Sequence, residues 1–447
     1  MLSAIAHSGN WRRQLALATA DGAGRAGKRE GACGVPRDDW YKKDVVLQWE
    51  GLPLSFVVAQ DLFSSHAVDA GSRLLLKSLA SVRFAERGHA LDFGCGWGVL
   101  GLAWKARLPG WDVRLVDRDA LAVEFSGWNA ERLGLAARGG ISWSVGLGPG
   151  ESPPDGFDLI LWNVPGKAGE AVLKLLAGDV ADALGRNGLA ALVIVNPLAA
   201  AVRAAYMGRT NLHLERDERF ADHTILHIRK RSGTEFVATR LGPFDKGVFD
   251  REPKAFDMPS GSYTLVPVVG LPEYESLGFD TVLLLSALDA LTEHPEAVMI
   301  VGCGQGHLAV GAHLLYGVTK FTLVDRDLLA LEATKRALAA VGVGEGTLQC
   351  LASSEIGMGE PDAPRVDTAI VRLVDQLPPA VMRTLVQDLE HRARKGGLTV
   401  VVGGGSTSVS RWLALVSRRT GWNARSRLKR RGASAATLSV RGQAGTS

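Results

Sequence analysis

Asp92, Gly94, Cys95, Gly96 and Gly98 stand in the run LDFGCGWG (91–98), and Asp117 closes the run WDVRLVD (111–117). These residue types at this spacing suit one kind of chemistry. Glycines let backbone approach a ligand closely and take conformations that side chains forbid. A helix beginning after them offers N–H groups with no helical partner. A carboxylate at the end of the next strand can accept both hydroxyl protons of a ribose. A lone glycine turn is weak evidence, since such a turn can serve packing only. Here Asp92 precedes it, Asp117 follows it, and the whole set occurs twice, which favours a nucleoside-containing ligand.

The second set is GCGQG (302–306) followed by LVDRD (323–327), matching GCGWG (94–98) and LVDRD (115–119) at a single offset of 208 residues. NGLAALVIV (187–195) faces KGGLTVVVG (395–403), and DAGSRLLLKSLA (69–80) faces FDTVLLLSALDA (279–290), at nearly the same offset. Similar features in one order at one spacing mark an internal repeat. Two copies of this size must each be a whole domain.

The elements that would position these residues alternate. Strands are expected at 89–94, 111–117, 157–163 and 189–196, and helices at 99–108, 119–133 and 167–184. The segments 212–220 and 223–230 read as a closing strand pair. Such alternation predicts an α/β protein of two tandem Rossmann-like domains, each a mainly parallel doubly wound sheet. The expected division is a flexible leader at 1–40, a first domain at 41–230, and a linker at 231–262 rich in Gly, Pro and Asp. A second domain with a basic C-terminal tail would fill 263–447.

Composition narrows the class. The 447 residues are 46% hydrophobic and 22% charged, as in an ordinary globular protein, and carry a net charge of +4. That mild excess permits an anionic partner without demanding one. It is concentrated near the end, where 411–447 holds nine Lys or Arg and no Asp or Glu. Arg425, Arg427, Lys429 and Arg430 are candidate contacts for a polyanion such as RNA, with a solvated basic face as the equal alternative. The four cysteines form no CxxC pair, so neither a metal site nor a disulfide scaffold is expected. No uninterrupted apolar run is long enough to span a bilayer, and a cytoplasmic location is the default.

Two ligands, NAD and S-adenosylmethionine, use turns of this kind. A dinucleotide turn has its third glycine where Val99 and His307 stand here, so Gly-x-Gly-x-Gly fits better. With Asp92 and Asp117, it resembles the motifs of class I S-adenosylmethionine-dependent methyltransferases. FSSHAVDAGSRLLL (63–76) before the turn and DLILWNVPGKAG (158–169) after it narrow the likeness. In that order they resemble the tandem-domain bacterial small-subunit ribosomal RNA guanine-N2 methyltransferases, one of whose two domains is degenerate. The order departs from that family: here the better-preserved copy comes first.

The resemblance implies S-adenosylmethionine as cofactor, ribosomal RNA as partner, and Asp69, Gly71 and Ser72 closing over the methionine end. The family has Asn-Pro-Pro-Phe where this chain has Asn163-Val164-Pro165-Gly166. In that motif the Asn oxygen and the next backbone carbonyl accept the two N–H bonds of an aromatic amine and aim its lone pair at the methyl group. Asn163 is kept, Val164 can supply the carbonyl, and Pro165 holds Val164 extended. The aromatic residue that would stack on the target base is absent at Gly166, and Trp162 should point to the opposite face of its strand. Lys167 could meet a phosphate. In the second copy Ile300 replaces the equivalent of Asp92, and Arg372, which cannot accept from an amine, stands near the place of Asn163. The resemblance therefore implies methyl transfer by the first domain alone. The alternatives are a methyltransferase acting on a protein or small molecule, and a non-catalytic RNA-binding or assembly factor with the same fold.

Overall fold

The computed structural model describes residues 37–231, 244, 247–352, 365–375, 377–393 and 396–441. The expected leader lies outside the described residues except for its last four, which form a short helix α1 (Arg37–Trp40). A hairpin follows, β1 (Tyr41–Trp49) paired antiparallel with β2 (Leu52–Ala59).

The first domain then runs α2 (Ala70–Leu79), β3 (His89–Phe93), α3 (Val99–Arg107), β4 (Asp112–Asp117), α4 (Ala120–Arg132), β5 (Ile141–Val145) and β6 (Phe157–Asn163). It ends with α5 (Glu170–Ala183), β7 (Leu184–Val195), α6 (Asn196–Met207), β8 (Leu212–Arg219) and β9 (His223–Lys230). The strand order is β5-β4-β3-β6-β7-β9-β8, with only β8 and β9 running against their neighbours. The central strands are apolar on both faces because helices cover both, as parallel strands require. Leu91, Leu115, Ile160, Leu161 and Leu192 are fully buried.

Two strands, β10 (Lys254–Met258) and β11 (Gly261–Leu265), form a hairpin across the end of the stretch read as a linker. Its Phe256 and Tyr263 pack on the second domain around His307, whose Nδ1 lies 2.8 Å from the Tyr263 hydroxyl. The second domain repeats the first: α7 (Phe279–Asp289), β12 (Ala297–Val301), α8 (His307–Tyr316), β13 (Lys320–Asp325), α9 (Leu328–Ala340), β14 (Leu348–Ala352) and β15 (Thr368–Leu373). There follow α10 (Pro379–Ala393), β16 (Leu398–Gly405), α11 (Ser406–Val416), β17 (Trp422–Arg430) and β18 (Ala433–Val440). Its strand order, β14-β13-β12-β15-β16-β18-β17, is that of the first sheet position by position. The doubly wound tandem expected from the repeat is what the chain forms.

The basic stretch near the C-terminus is the edge strand of that sheet. Arg425, Arg427 and Lys429 are exposed on β17. Like charges along an exposed edge oppose pairing with another chain, which gives them a structural use of their own.

The two LVDRD copies meet. Asp119 and Asp327 form an antiparallel bridge, in which Ala120 N–H donates to the Arg326 carbonyl (2.8 Å) and Leu328 N–H to the Arg118 carbonyl (3.0 Å). The side chains repeat the exchange: Arg118 pairs with Asp327 (3.1 Å) and Arg326 with Asp119 (3.5 Å). Apolar packing continues through this contact, with Leu329, Ala330 and Ala333 of α9 in one cluster with Val116, Trp162 and Val164. Trp40 is buried against the second domain in a cluster containing Val381, and Asp39 accepts a hydrogen bond from Thr384 (3.4 Å).

Candidate functional site

The glycine turn of the first domain joins β3 to α3. Gly94, Gly96 and Gly98 all have positive φ (70°, 56° and 88°), the region that disfavours side chains. A Cβ built on Gly94 or Gly96 would meet nothing within 4 Å, so the turn borders open space. Asp117, at the end of β4, braces it: one carboxylate oxygen accepts from Gly96 N–H (2.9 Å) and the other from Asp119 N–H (2.9 Å). Each oxygen has a second lone pair. Burial raises the Asp117 carboxyl, opposed by those backbone N–H groups.

Asp92 has a different position from Asp117. It is buried beneath the turn, where Oδ2 accepts from Gly101 N–H (2.7 Å) and Oδ1 has no protein partner. Burial pushes its carboxyl up to about 7, with the Asp117 charge adding to the rise. Gly101 allows this close approach, since a Cβ there would lie 2.3 Å from the Leu115 side chain and 2.9 Å from Asp92, so that one of them would have to shift. Cys95 is buried, its sulfur 3.4 Å from the Ser126 hydroxyl.

Asp69, Gly71, Ser72 and Asn163 come together, although 91 residues separate Ser72 from Asn163. Asp69 caps α2 by accepting from Ser72 N–H (2.9 Å). Asn163, at the end of β6, donates its Nδ2 to Asp69 Oδ1 (3.2 Å) and Ser72 Oγ (3.2 Å). An ionised carboxylate cannot donate, so the amide nitrogen must be the atom facing Asp69. The Asn163 oxygen is thereby the side-chain atom left to accept from a substrate. Gly71 permits the approach: a Cβ there would lie 3.0 Å from Asp69 and 3.2 Å from both Val193 and the His223 ring.

Val164 is buried and its N–H donates to the Val193 carbonyl (2.9 Å), while Pro165, Gly166 and Lys167 are exposed. Trp162 is buried on the other side of its strand against Phe93, with ring centroids 5.5 Å apart. Arg425, Arg427, Lys429 and Arg430 lie on the far edge strand of the second sheet, not in this cluster. Arg425 pairs with Glu293 (3.3 Å), Arg427 donates to Ser410 (2.9 Å), and Arg430 lies over the Phe279 ring.

Sequence reasoning missed Ser126 and Asn129. Ser126 donates to the Gly96 carbonyl (2.8 Å). Asn129, fully buried, donates to the carbonyls of Trp97 and Val57 (2.9 Å each) and accepts from Val57 N–H (2.7 Å). It ties the glycine turn to the β1–β2 hairpin. Polar residues inside a helix give no motif to search for, and only their burial would have marked them. Among the described residues no group of His, Cys, Asp and Glu could hold a metal ion, and no helix is long and apolar enough to cross a membrane.

Residues 53–220 match the model of the methyltransferase small domain, and residues 280–404 that of the Ribosomal protein L11 methyltransferase. Ribosomal RNA small subunit methyltransferase C of Pseudomonas entomophila (strain L48) is 43% identical over 120 residues, 27% of this chain and 33% of that protein. Its counterpart in Ectopseudomonas mendocina (strain ymp) is 39% identical over 137 residues, 30% of this chain and 39% of that protein. The matched region thus spans about a third of the length of these relatives. A 16S rRNA N2 methyltransferase of T. thermophilus, solved with AdoMet and guanosine, shares the fold over 91% of this chain and 100% of its own. The TM-score is 0.60 and the identity 17%. By fold the chain is a tandem of two Rossmann-like domains, each matching a methyltransferase model over part of its length, and its first domain resembles the small-subunit ribosomal RNA methyltransferases.

Proposed function

We propose that the first domain is an S-adenosylmethionine-dependent methyltransferase acting on an exocyclic base amine of RNA, of the guanine-N2 kind. The observation that carries this reading is Asn163, held by Asp69 and Ser72 so that its oxygen is free to accept, beside a glycine turn open to a ligand. The open space at Gly94 and Gly96 and the carboxylate at Asp117 fit an adenosyl group with its ribose diol. Bound there, S-adenosylmethionine would supply an electrophilic methyl group.

The chain's own residues supply position. The Asn163 oxygen and the Val164 carbonyl accept the two N–H bonds of the amine, so its lone pair is aimed and its developing positive charge is stabilised. No strong base is required before attack. Asp69 and Ser72 fix the amide, Gly71 allows them to close on the strand end, and Cys95 and Asp92 pack beneath the turn. Lys167, exposed beside the strand end, would meet a phosphate. The likeness to ribosomal RNA small subunit methyltransferases supports ribosomal RNA as the partner, and a cytoplasmic site of action would follow from it.

The test is methyl transfer by the full chain from labelled S-adenosylmethionine to small-subunit ribosomal RNA. Asn163→Ala should lower the rate by about two orders of magnitude, the usual loss for one transition-state hydrogen-bonding group. Undiminished transfer by that variant would refute the assigned mechanism. Gly166, exposed where a stacking aromatic would stand, favours a second reading, a protein or small-molecule acceptor. Transfer to protein or metabolite fractions but not to RNA would select it. Salt-dependent RNA binding without transfer to any acceptor would select a non-catalytic assembly factor.

A further inference from the structure

A cavity of about 850 Å³ lies in the second domain. Its size is that of a small-molecule site. Gly302, Gly304 and Asp325, the counterparts of Gly94, Gly96 and Asp117, line it, with Leu373 and Val374 from the end of β15 and Trp40 from α1. Asp325 is braced much as Asp117 is: one oxygen accepts from Cys303 N–H (2.8 Å), the other from Asp327 N–H (2.9 Å). Gly304 N–H also reaches the oxygen that Cys303 holds (3.4 Å), so the oxygen facing Asp327 is the one that keeps a lone pair for a ribose hydroxyl.

The other end of the cleft differs. Arg372 holds the strand position of Asn163, and Glu273 and Asp280 fix its guanidinium at 2.8 Å each. A Cβ on Gly304 would lie 3.4 Å from Arg372 Nη1, and one on Gly302 would lie 3.2 Å from Arg372 Cβ. The space left open over the first turn is filled here. The Arg372 side chain stands in the space that the methionine end of S-adenosylmethionine would need. The charged lining is Asp280, Asp325, Asp327, Asp375 and Asp388 against Arg326, Arg372 and Arg431, and this negative excess disfavours a phosphate.

We propose that this cavity is a second binding site, for a neutral nucleoside held through a ribose hydroxyl by Asp325, with neither an amino-acid tail nor a phosphate. The site is independent of methyl transfer by the first domain.

Calorimetry on full-length Asp117→Asn isolates it, because the first domain's ribose site is disabled. Adenosine and guanosine are the probes. One of them should bind at one per chain, and 2′,3′-dideoxyadenosine or 2′,3′-dideoxyguanosine should bind at least tenfold more weakly. The matching nucleoside 5′-monophosphate should lose a similar factor, and so should S-adenosylmethionine. Asp325→Asn added to Asp117→Asn should abolish binding. Because Asp325 also braces its turn, Val374→Trp supplies an independent block: Val374 is half-exposed on the cavity wall, and an indole there would fill it. No binding of either nucleoside to Asp117→Asn would overturn the proposal, as would binding that survives Val374→Trp in a folded protein.

Discussion

The two glycine turns share a fold, a strand order and a carboxylate, and they differ most in the side chain at the end of the neighbouring strand. Over the first, nothing lies within 4 Å of a Cβ on Gly94 or Gly96. Over the second, Arg372 lies against both equivalent glycines. Asn163 and Arg372 occupy the same strand position, yet one leaves an acceptor and an open cradle while the other fills the cradle with charge. A doubled domain can thus lose one ligand specificity without losing its fold, because the sheet does not depend on what fills the cleft above it. Glu273, only 7% exposed, and Asp280 keep Arg372 in place. Removing either would leave a partly buried cation short of a partner, so the change became part of the second domain's packing.

The sharpest way to break the comparison is to remove the two ribose carboxylates in turn. Asp117→Ala should weaken S-adenosylmethionine binding by about a hundredfold, the effect of losing two hydrogen bonds to a charged group. Asp325→Ala should leave it within about twofold. Calorimetry measures both, and the opposite pattern would exchange the roles of the domains. A smaller change sharpens the view of the first site. Gly166 is exposed and a Cβ there would meet only Val195, at 3.8 Å, so there is room for a side chain. Gly166→Phe should tighten RNA binding by about tenfold if the acceptor is a base, since stacking contributes roughly 1–3 kcal/mol. An unchanged affinity would point to a different acceptor.

The region where the two halves meet gives a third prediction. Arg326 of the second domain reaches Asp119 (3.5 Å) and Asp61 (2.9 Å) of the first, and Asp61 precedes Phe63, whose carbonyl accepts from the Trp97 indole in the glycine turn (3.2 Å). Arg326→Ala should therefore cost about 1 kcal/mol in urea unfolding, the lower end for an interaction still partly exposed to water. It should also weaken cofactor binding several-fold. A loss of stability without any effect on binding would separate the interface from the site.

Much of this was legible in the sequence because it is local. The glycine turns, the strand-end carboxylates and the alternation of elements are all written in short runs. The repeat revealed itself through five identical residues. What could not be read was where those residues point. Nothing in LVDRD says that Arg118 and Arg326 cross to Asp327 and Asp119, because the relation appears only when two sheets face each other. Arg372 was readable as the loss of an acceptor. It was not readable as a plug, since its partners Asp280 and Glu273 lie 92 and 99 residues away. The β10–β11 hairpin was hidden in a stretch rich in Gly, Pro and Asp, where turn residues outweigh two strands of five residues each. The charges on β17 were visible in number, but an edge strand and a loose tail have the same composition.

The same meeting point sets the smallest effect. Four carboxylates, Asp117, Asp119, Asp325 and Asp327, converge where the copies touch. Burial holds Asp119 up at about 7, despite Arg326 and with Asp117 adding to the rise. Burial likewise holds Asp327 up at about 6, despite Arg118. An unfolded carboxyl titrates near 3.8, the ordinary value for Asp. Between there and about 7 the folded chain keeps protons that the unfolded chain has released, so stability must fall as pH rises through that window. Below it both states are protonated and nothing is lost; above it the loss is complete. Melting temperature measured at pH 5 and pH 8 should therefore fall with pH in the wild type. The fall should be smaller in Asp119→Asn with Asp327→Asn, which cannot ionise at these positions. Equal slopes in the two proteins would mean that the two arginines already neutralise the pair, so that ionisation of Asp119 and Asp327 does not weaken the contact between the copies.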